Sequence, residues 1–170
     1  MEGIIMNELH QVDYPSPIGI VEITGTEQAI VSLYFSDREQ PLHKVQPDTP
    51  QVLKNALQEL DEYFKGQRTE FTVPCISSGT EFQQKVWAAL PDIAYGETAS
   101  YRDIAAAVGN EKSVRAVGNA NSKNKISIII PCHRIIGSNG KLTGYAGSLT
   151  RKEWLLKHEQ AVRNGQSVEA

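Results

Sequence analysis

Cysteine is scarce in this chain: two residues in 170, Cys75 and Cys132. Two cannot make a disulfide framework, and their separation fits no zinc-ligand spacing, so their value lies in reactivity or packing. Long apolar runs are missing as well. No window reaches the roughly 18 residues that a membrane span requires. The opening MEGIIMNELHQ is acidic, with too short an apolar run for a secretory leader, so a cytoplasmic protein with no membrane association is expected. Neither a glycine-rich phosphate loop nor a cluster of metal-ligating side chains occurs, and no metal, nucleotide or redox cofactor is expected.

No charge of one sign dominates the chain either. The net charge of −3 argues against a nucleic-acid binder until it is divided along the sequence. Residues 1–80 carry 5 Lys+Arg against 12 Asp+Glu, whereas residues 81–170 carry 12 against 8. A basic half facing a polyanion is an electrostatic footprint of DNA or RNA binding, although the same excess also serves as a solvated surface.

What is present separates into two regions, expected as domains at 1–78 and 79–170, and the fold class is α/β in the α+β sense. In the first region, β-branched and aromatic runs at about Gln11–Tyr14, Ile18–Thr24 and Ala29–Phe35 are broken by PSPIG and GTEQ, which predicts a small antiparallel sheet. An amphipathic helix follows, with Asp48 or Thr49 as cap and Leu53, Leu57, Leu60 and Phe64 on one face before Gly66. Its apolar stripe needs a cover, and the sheet is the nearest one. Cys75 has no nearby His or Lys and reads as a small packed hydrophobe.

The second region is mainly helical. Thr80 with Gln83 forms a capping box ahead of FQQKVWAAL, Ser100 with Asp103 forms another ahead of YRDIAAAV, and Ser113 begins VRAVGNAN. Three short helices with tight connections fit a packed bundle or a helix-turn-helix whose recognition helix opens with Lys112 and Arg115. Small residues on the third helix (Ala116, Gly118, Ala120) allow its backbone to approach a partner closely. ISIII then reads as a short buried strand ended by Pro131, GSNGKLTGYAG as a loop or hairpin around Asn139-Gly140, and Thr150 with Glu153 as a box capping a last helix whose Trp154, Leu155 and Leu156 pack inward.

Cys132 stands just after Pro131, followed by His133 and Arg134. A thiol is mostly protonated at neutral pH, so nucleophilic work needs a base or a positive environment. Neighbours in sequence point apart, so a water bridge from Cys132 to the His133 ring is more natural than direct contact, and the ring needs an orienting acid. From the residues alone, a packed cysteine and a nucleophile both remain open.

PCHRIIG, taken with YRDIAAAVG, RAVGNA, Asn124, GYAG and RKEWLLKHE, resembles the O6-alkylguanine-DNA alkyltransferase family, also called methylated-DNA–protein-cysteine methyltransferases. The match is densest over residues 80–159, and EYFKGQRTEF extends it into the front half. The resemblance implies a single-turnover DNA repair enzyme, acting as a monomer, that takes an alkyl group from O6-alkylguanine, and from O4-alkylthymine by extension, in the minor groove of double-stranded DNA. Cys132 would be the acceptor, His133 the base through a water, Glu159 the acid orienting His133, and Asn124 the brace of the turn. Tyr101 would help rotate the nucleotide out and Arg115 would fill the gap, with Lys112, Ala116, Gly118, Asn121 and Arg134 also on the DNA side. Tyr145, Ala146, Gly147 and Ser148 would line the guanine pocket. The chain departs from the family pattern at Lys125, where proline is frequent, at Ser113 and Val114, where alanines are common, and at Ser148, where glycine is usual. Two rival classes would fit parts of the pattern: a non-catalytic lesion binder, and an unrelated cysteine-dependent hydrolase.

Overall fold

The structure, a computed structural model, describes residues 8–145 and 147–166. The chain forms two compact units that divide between Ser77 and Ser78.

In the first unit, β1 (His10–Ser16), β2 (Gly19–Gly25) and β3 (Ile30–Ser36) form an antiparallel sheet in the order β1-β2-β3. Val12 lies opposite Ile23, and Ile23 opposite Leu33, so these three share one face and all are buried. Helix α1 (Gln51–Phe64) packs on the sheet, burying Leu53, Leu60 and Phe64 of the expected stripe, with Ala56 fully buried and the expected Leu57 only partly so. Each large apolar side chain removed from water in this way contributes about 2 kcal/mol. The cap differs from expectation. Helix α1 starts after Pro50 with no side-chain cap, because Thr49 Oγ1 already accepts from Gln46 N at 2.7 Å within the preceding turn. The buried carboxylate of Glu59 accepts hydrogen bonds from the Thr72 amide and hydroxyl and so ties the segment after α1 to the helix. Cys75 is half-buried in that segment. Burial, aided by the Glu59 charge, pushes its thiol up to about 11, which suits a packing role.

In the second unit, α2 (Glu81–Ala89) and α3 (Tyr101–Ala107) both start on the reciprocal capping boxes expected for them, Thr80 with Gln83 and Ser100 with Asp103. Helix α4 (Val114–Ser122) packs against both, and the Trp87 indole donates to the Ala120 carbonyl at 2.9 Å. Helices α3 and α4, joined through Gly109 at φ +85°, make the helix-turn-helix. A short parallel pair, β4 (Ala99–Ser100) with β5 (Ile135–Ile136), ties the start of α3 to the segment after Cys132. Helix α5 (Leu149–Arg163) packs against that same segment.

Two expectations here need correction, and one alternative is decided. ISIII is not a strand: its first three residues are buried and Ile129 and Ile130 partly so, and residues 127–129 form a turn, with Ile128 at φ +69°. The Asn124 side chain overrides the β propensity of the isoleucines, donating to the Ile126 and Ile130 carbonyls and accepting from Ile126 N. Of the loop or hairpin expected around Asn139-Gly140, the loop is found: a turn in which Gly137 N donates to Lys141 O, with no strand assigned to residues 137–145. Helix α5 is capped by Ser148, whose side chain accepts from Arg151 N, rather than by Thr150; Leu155 and Leu156 are buried as expected, while Trp154 is half-exposed and stacks on His158.

Candidate active site

The Asn124 turn delivers Pro131 and then a single 3-10 turn, Cys132–Arg134, so that the cysteine opens a tight turn instead of tipping a strand. Cys132 is 3% exposed. Its amide donates to the Ile130 carbonyl at 2.7 Å, and its own carbonyl accepts from Asn121 Nδ2 at 3.2 Å. Burial pushes the thiol up, while the Asn124 side chain and the Lys152 charge pull it down; burial wins. A thiol held this way needs a proton acceptor close by.

His133 is that acceptor's obvious candidate. It is fully buried, and its Nε2 lies 2.7 Å from Glu159 Oε2 on α5. Its Nδ1 is buried with no hydrogen-bond partner among the described residues, which leaves one ring nitrogen for proton exchange. Glu159 is 1% exposed and also accepts from Arg134 Nε at 2.8 Å, Arg134 Nη2 at 3.1 Å and Gly96 N at 3.3 Å. Burial alone would raise this carboxyl; His133 and Arg134 together overcome it and hold the group far below the usual carboxylate range.

Two residues expected on the DNA side are elsewhere. Arg134 is buried, bonded to Glu159 and to the Ile93 carbonyl at 2.8 Å, with its guanidinium 5.5 Å from the centre of the Tyr95 ring, so its charge is spent inside the protein. Asn121 is buried under Cys132, as described. The others do lie outward. Arg115 and Ala116 are exposed on α4, and Lys112 is exposed just ahead of it; with Arg102, Lys123 and Lys125 these cations make no ion pair among the described residues. Gly118 faces Tyr101: a Cβ there would stand 3.6 Å from the tyrosine ring.

Residues 141–145, 147 and 148 lie in the segment between β5 and α5. Tyr101 Oη lies 2.9 Å from Thr143 Oγ1. Tyr145 is buried, and burial together with the nearby Cys132 charge pushes its phenol well up, so it stays a neutral wall or donor. Gly147 is buried and Ser148 exposed at φ +97°, while Ala146 lies outside the described residues. Sequence reasoning missed Lys152. It lies seven residues before Glu159 and three and four before Leu155 and Leu156, a spacing that puts all four on one helix face.

Residues 81–161 match the family model described as 6-O-methylguanine DNA methyltransferase, DNA binding domain, and residues 11–75 match the 6-O-methylguanine DNA methyltransferase, ribonuclease-like domain. The chain is 48% identical over 152 residues to the constitutive methylated-DNA–protein-cysteine methyltransferase of Bacillus subtilis, covering 85% of this chain and 92% of that one. Among solved structures it is similar to Mycobacterium tuberculosis O6-methylguanine methyltransferase, at 41% identity and a TM-score of 0.80 over 91% of this chain and 94% of that one. It is similar also to Mycobacterium tuberculosis OGT in complex with DNA, at 42% identity and a TM-score of 0.79 over 91% and 93%.

Proposed function

The chain belongs to the 6-O-methylguanine DNA methyltransferase family, and from that premise we propose that Cys132 is the residue that takes the alkyl group when this enzyme repairs O6-alkylguanine in DNA. The observation that carries the assignment is the buried Cys132 next to a His133 ring held 2.7 Å from Glu159 in the unit that bears the helix-turn-helix.

An alkyl carbon on O6 of a stacked guanine is out of reach, so the nucleotide must leave the duplex, at a cost of a few kcal/mol. Helix α4 is the element suited to meet DNA. Its small Ala116 and Gly118 permit close approach to the minor groove, and the unpaired Lys112, Arg115, Lys123 and Lys125 meet phosphates. Arg115 fills the space that the base leaves, and Tyr101, packed on Gly118, turns the nucleotide toward the loop of Tyr145, Gly147 and Ser148. All site residues lie in one unit of one chain, which suits action as a monomer. Both cysteines are free, which suits the reducing cytoplasm.

The chemistry is a displacement at carbon. The Cys132 proton passes through a water to His133 Nδ1, and Glu159 stabilises the imidazolium. The sulfur–carbon bond forms as the carbon–O6 bond breaks, its electron pair leaves with guanine, and the proton on His133 neutralises that base. The product is a thioether, which water does not hydrolyse, so each molecule acts once.

Intact-protein mass after incubation with excess duplex DNA carrying one O6-methylguanine tests the reading. One methyl group per protein, mapped to Cys132, is expected, with Cys132→Ala binding the duplex but gaining no mass. Tight binding without transfer by the wild type would make the protein a lesion binder instead.

A further inference from the structure

Gly96 is held at both of its peptide groups by the same helix. Its N–H donates to Glu159 Oε1 at 3.3 Å, and its carbonyl accepts from Arg163 Nη1 at 3.3 Å. Glu159 and Arg163 are four residues apart on α5, a spacing that puts both on one face of the helix. Arg163 Nη2 also lies 3.4 Å from Glu97 Oε2, so one guanidinium spans two successive residues. Only glycine fits this grip. Gly96 sits at φ +80°, and a Cβ there would stand 2.7 Å from Arg163 Cδ. The residues just ahead of the glycine serve the same buried pair: the Ile93 carbonyl accepts from Arg134 Nη1 at 2.8 Å, and the Arg134 guanidinium lies over the Tyr95 ring, 5.5 Å from its centre. Residues 93–96 therefore touch both Arg134 and Glu159, and the proton path described above gives them no task.

We propose that Arg163 is a positioning residue for the proton relay: by clasping Gly96 it keeps the Gly96 amide on Glu159 and so fixes the carboxylate that orients His133. The inference rests on His133 taking the Cys132 proton. Glu159 Oε2 meets His133 Nε2 at 2.7 Å and Oε1 meets both Arg134 Nε and the Gly96 amide, so donors from three residues set the plane of the carboxylate. Without the clasp the amide swings away, and the carboxylate is left to turn with Arg134. A small misplacement of a catalytic group, caused from outside the reacting atoms, is enough to slow a reaction. Arg163 also stands in the last turn of α5, where any cation favours the helix dipole. The two roles read out differently. A dipole contribution appears in stability and is met equally by lysine, whereas the clasp appears in the His133–Glu159 hydrogen bond and needs two donors. The Arg163 side chain is half-exposed, and ion pairs at such sites contribute little to stability, so the clasp supplies geometry.

The proton between His133 and Glu159 reports on this directly, because an imidazole N–H held by a buried carboxylate resonates far downfield in the 1H NMR spectrum. Its signal, identified in 15N-histidine protein by its loss in Glu159→Gln, is followed in wild type, Arg163→Met and Arg163→Lys. Affinity for duplex DNA carrying O6-methylguanine and single-turnover methyl transfer at saturating DNA are measured in parallel. Arg163→Met keeps the apolar stem and loses both donors. Its signal is expected to move upfield and to exchange with water about fivefold faster, and its saturated transfer rate to fall about fivefold with affinity within about twofold of wild type. Arg163→Lys, one ammonium for two acceptors, recovers part of both. A signal and rate in Arg163→Met that coincide with wild type, with only the urea midpoint lowered, overturn the proposal and leave Arg163 to the helix end. Should Arg163→Met fail to fold, Arg163→Lys decides alone, and a wild-type signal and rate there overturn the clasp. A wild type that repairs DNA while the Arg163→Met signal is unmoved sinks this inference alone; a signal that moves as expected in a protein that takes no methyl group from DNA sinks the acceptor assignment.

Discussion

Glu159 Oε2 stands 2.7 Å from His133 Nε2, and the same carboxylate accepts two hydrogen bonds from Arg134. The three residues form one buried unit in which the arginine fixes the acid and, in the proposed reaction, the histidine takes the proton. Glu159→Gln keeps the shape and removes the charge, leaving Arg134 buried without its anion. Breaking a buried pair in this way costs about 3 kcal/mol, and methyl transfer at pH 7 should slow by at least tenfold. The pH dependence has a definite sign. The Glu159 carboxyl is held below its unfolded value, so its stabilising contribution is fully present above that value, about 4.3, and is lost as pH falls toward the folded one. Urea midpoints at pH 7 and pH 3 check this: the gap between wild type and Glu159→Gln should narrow at pH 3, and a gap that widens would contradict the pairing.

Asn124 makes three hydrogen bonds to the backbone of the turn before Cys132 and sits where Ile128 is held at φ +69°. A β-branched residue in that region costs of order 1–3 kcal/mol and persists only because the surroundings impose it. Asn124→Ala removes the imposition. A loss of about 3 kcal/mol is expected from the buried groups left unpaired. The rate of Cys132 labelling by a bulky thiol reagent, divided by that of a small one, should rise above wild type as the turn loosens, a ratio that cancels the rise in the thiol on losing the Asn124 contact. Urea denaturation and the ratio of labelling rates for a large and a small maleimide measure both; an unchanged ratio would mean that the turn is held by something else.

The parts of this fold that were legible in the sequence are those settled by local rules. The capping boxes at Thr80 and Ser100 are fixed by residues three apart, and the strands of the first unit by β-branched and aromatic runs broken by turn residues, and both kinds of element are found within a residue or two of where they are read. The family motif likewise points to Cys132, His133 and Glu159 as a group, and the structure brings His133 and Glu159 together around the cysteine's turn. What could not be read is where a side chain turns inward. ISIII has every mark of a strand, yet one amide at Asn124 winds it into a turn. Arg134 follows His133 and looks available to DNA, but the buried Glu159 claims it. Lys152 reads as a solvated charge in a helix of mixed polarity, and only the packing of α5 against the Cys132 turn shows it buried.

Ser148 occupies φ +97°, a conformation that L side chains rarely adopt and glycine adopts freely. Its hydroxyl caps α5 only weakly, accepting from Arg151 N at 3.3 Å. Ser148→Gly loses a cap worth a few tenths of a kcal/mol and gains back strain of order 1–3 kcal/mol, less the chain entropy of an added glycine, about 0.5–1 kcal/mol. The balance favours the variant by about 1 kcal/mol, read as a rise of a few degrees in Tm. A fall in Tm would show that the hydroxyl is worth more than its geometry suggests.

Arg115 is exposed at the first turn of α4 and makes no ion pair among the described residues, so a structural role for it is small. Its removal separates two jobs. If the guanidinium only met a phosphate, Arg115→Ala would lower the dependence of log affinity on log salt by about 0.9 and weaken binding to every duplex alike. If it fills the space left by the displaced nucleotide, the loss appears where a base must leave a stack. Transfer from duplex DNA should then fall at least tenfold, about 1.4 kcal/mol, the defect should shrink on single-stranded DNA carrying the same lesion, and the reaction with the free alkylated base should stay within about twofold of wild type, because the Cys132, His133 and Glu159 geometry is untouched. Equal losses on single-stranded and duplex DNA would assign Arg115 to the phosphates and leave the gap in the stack to another side chain of α4.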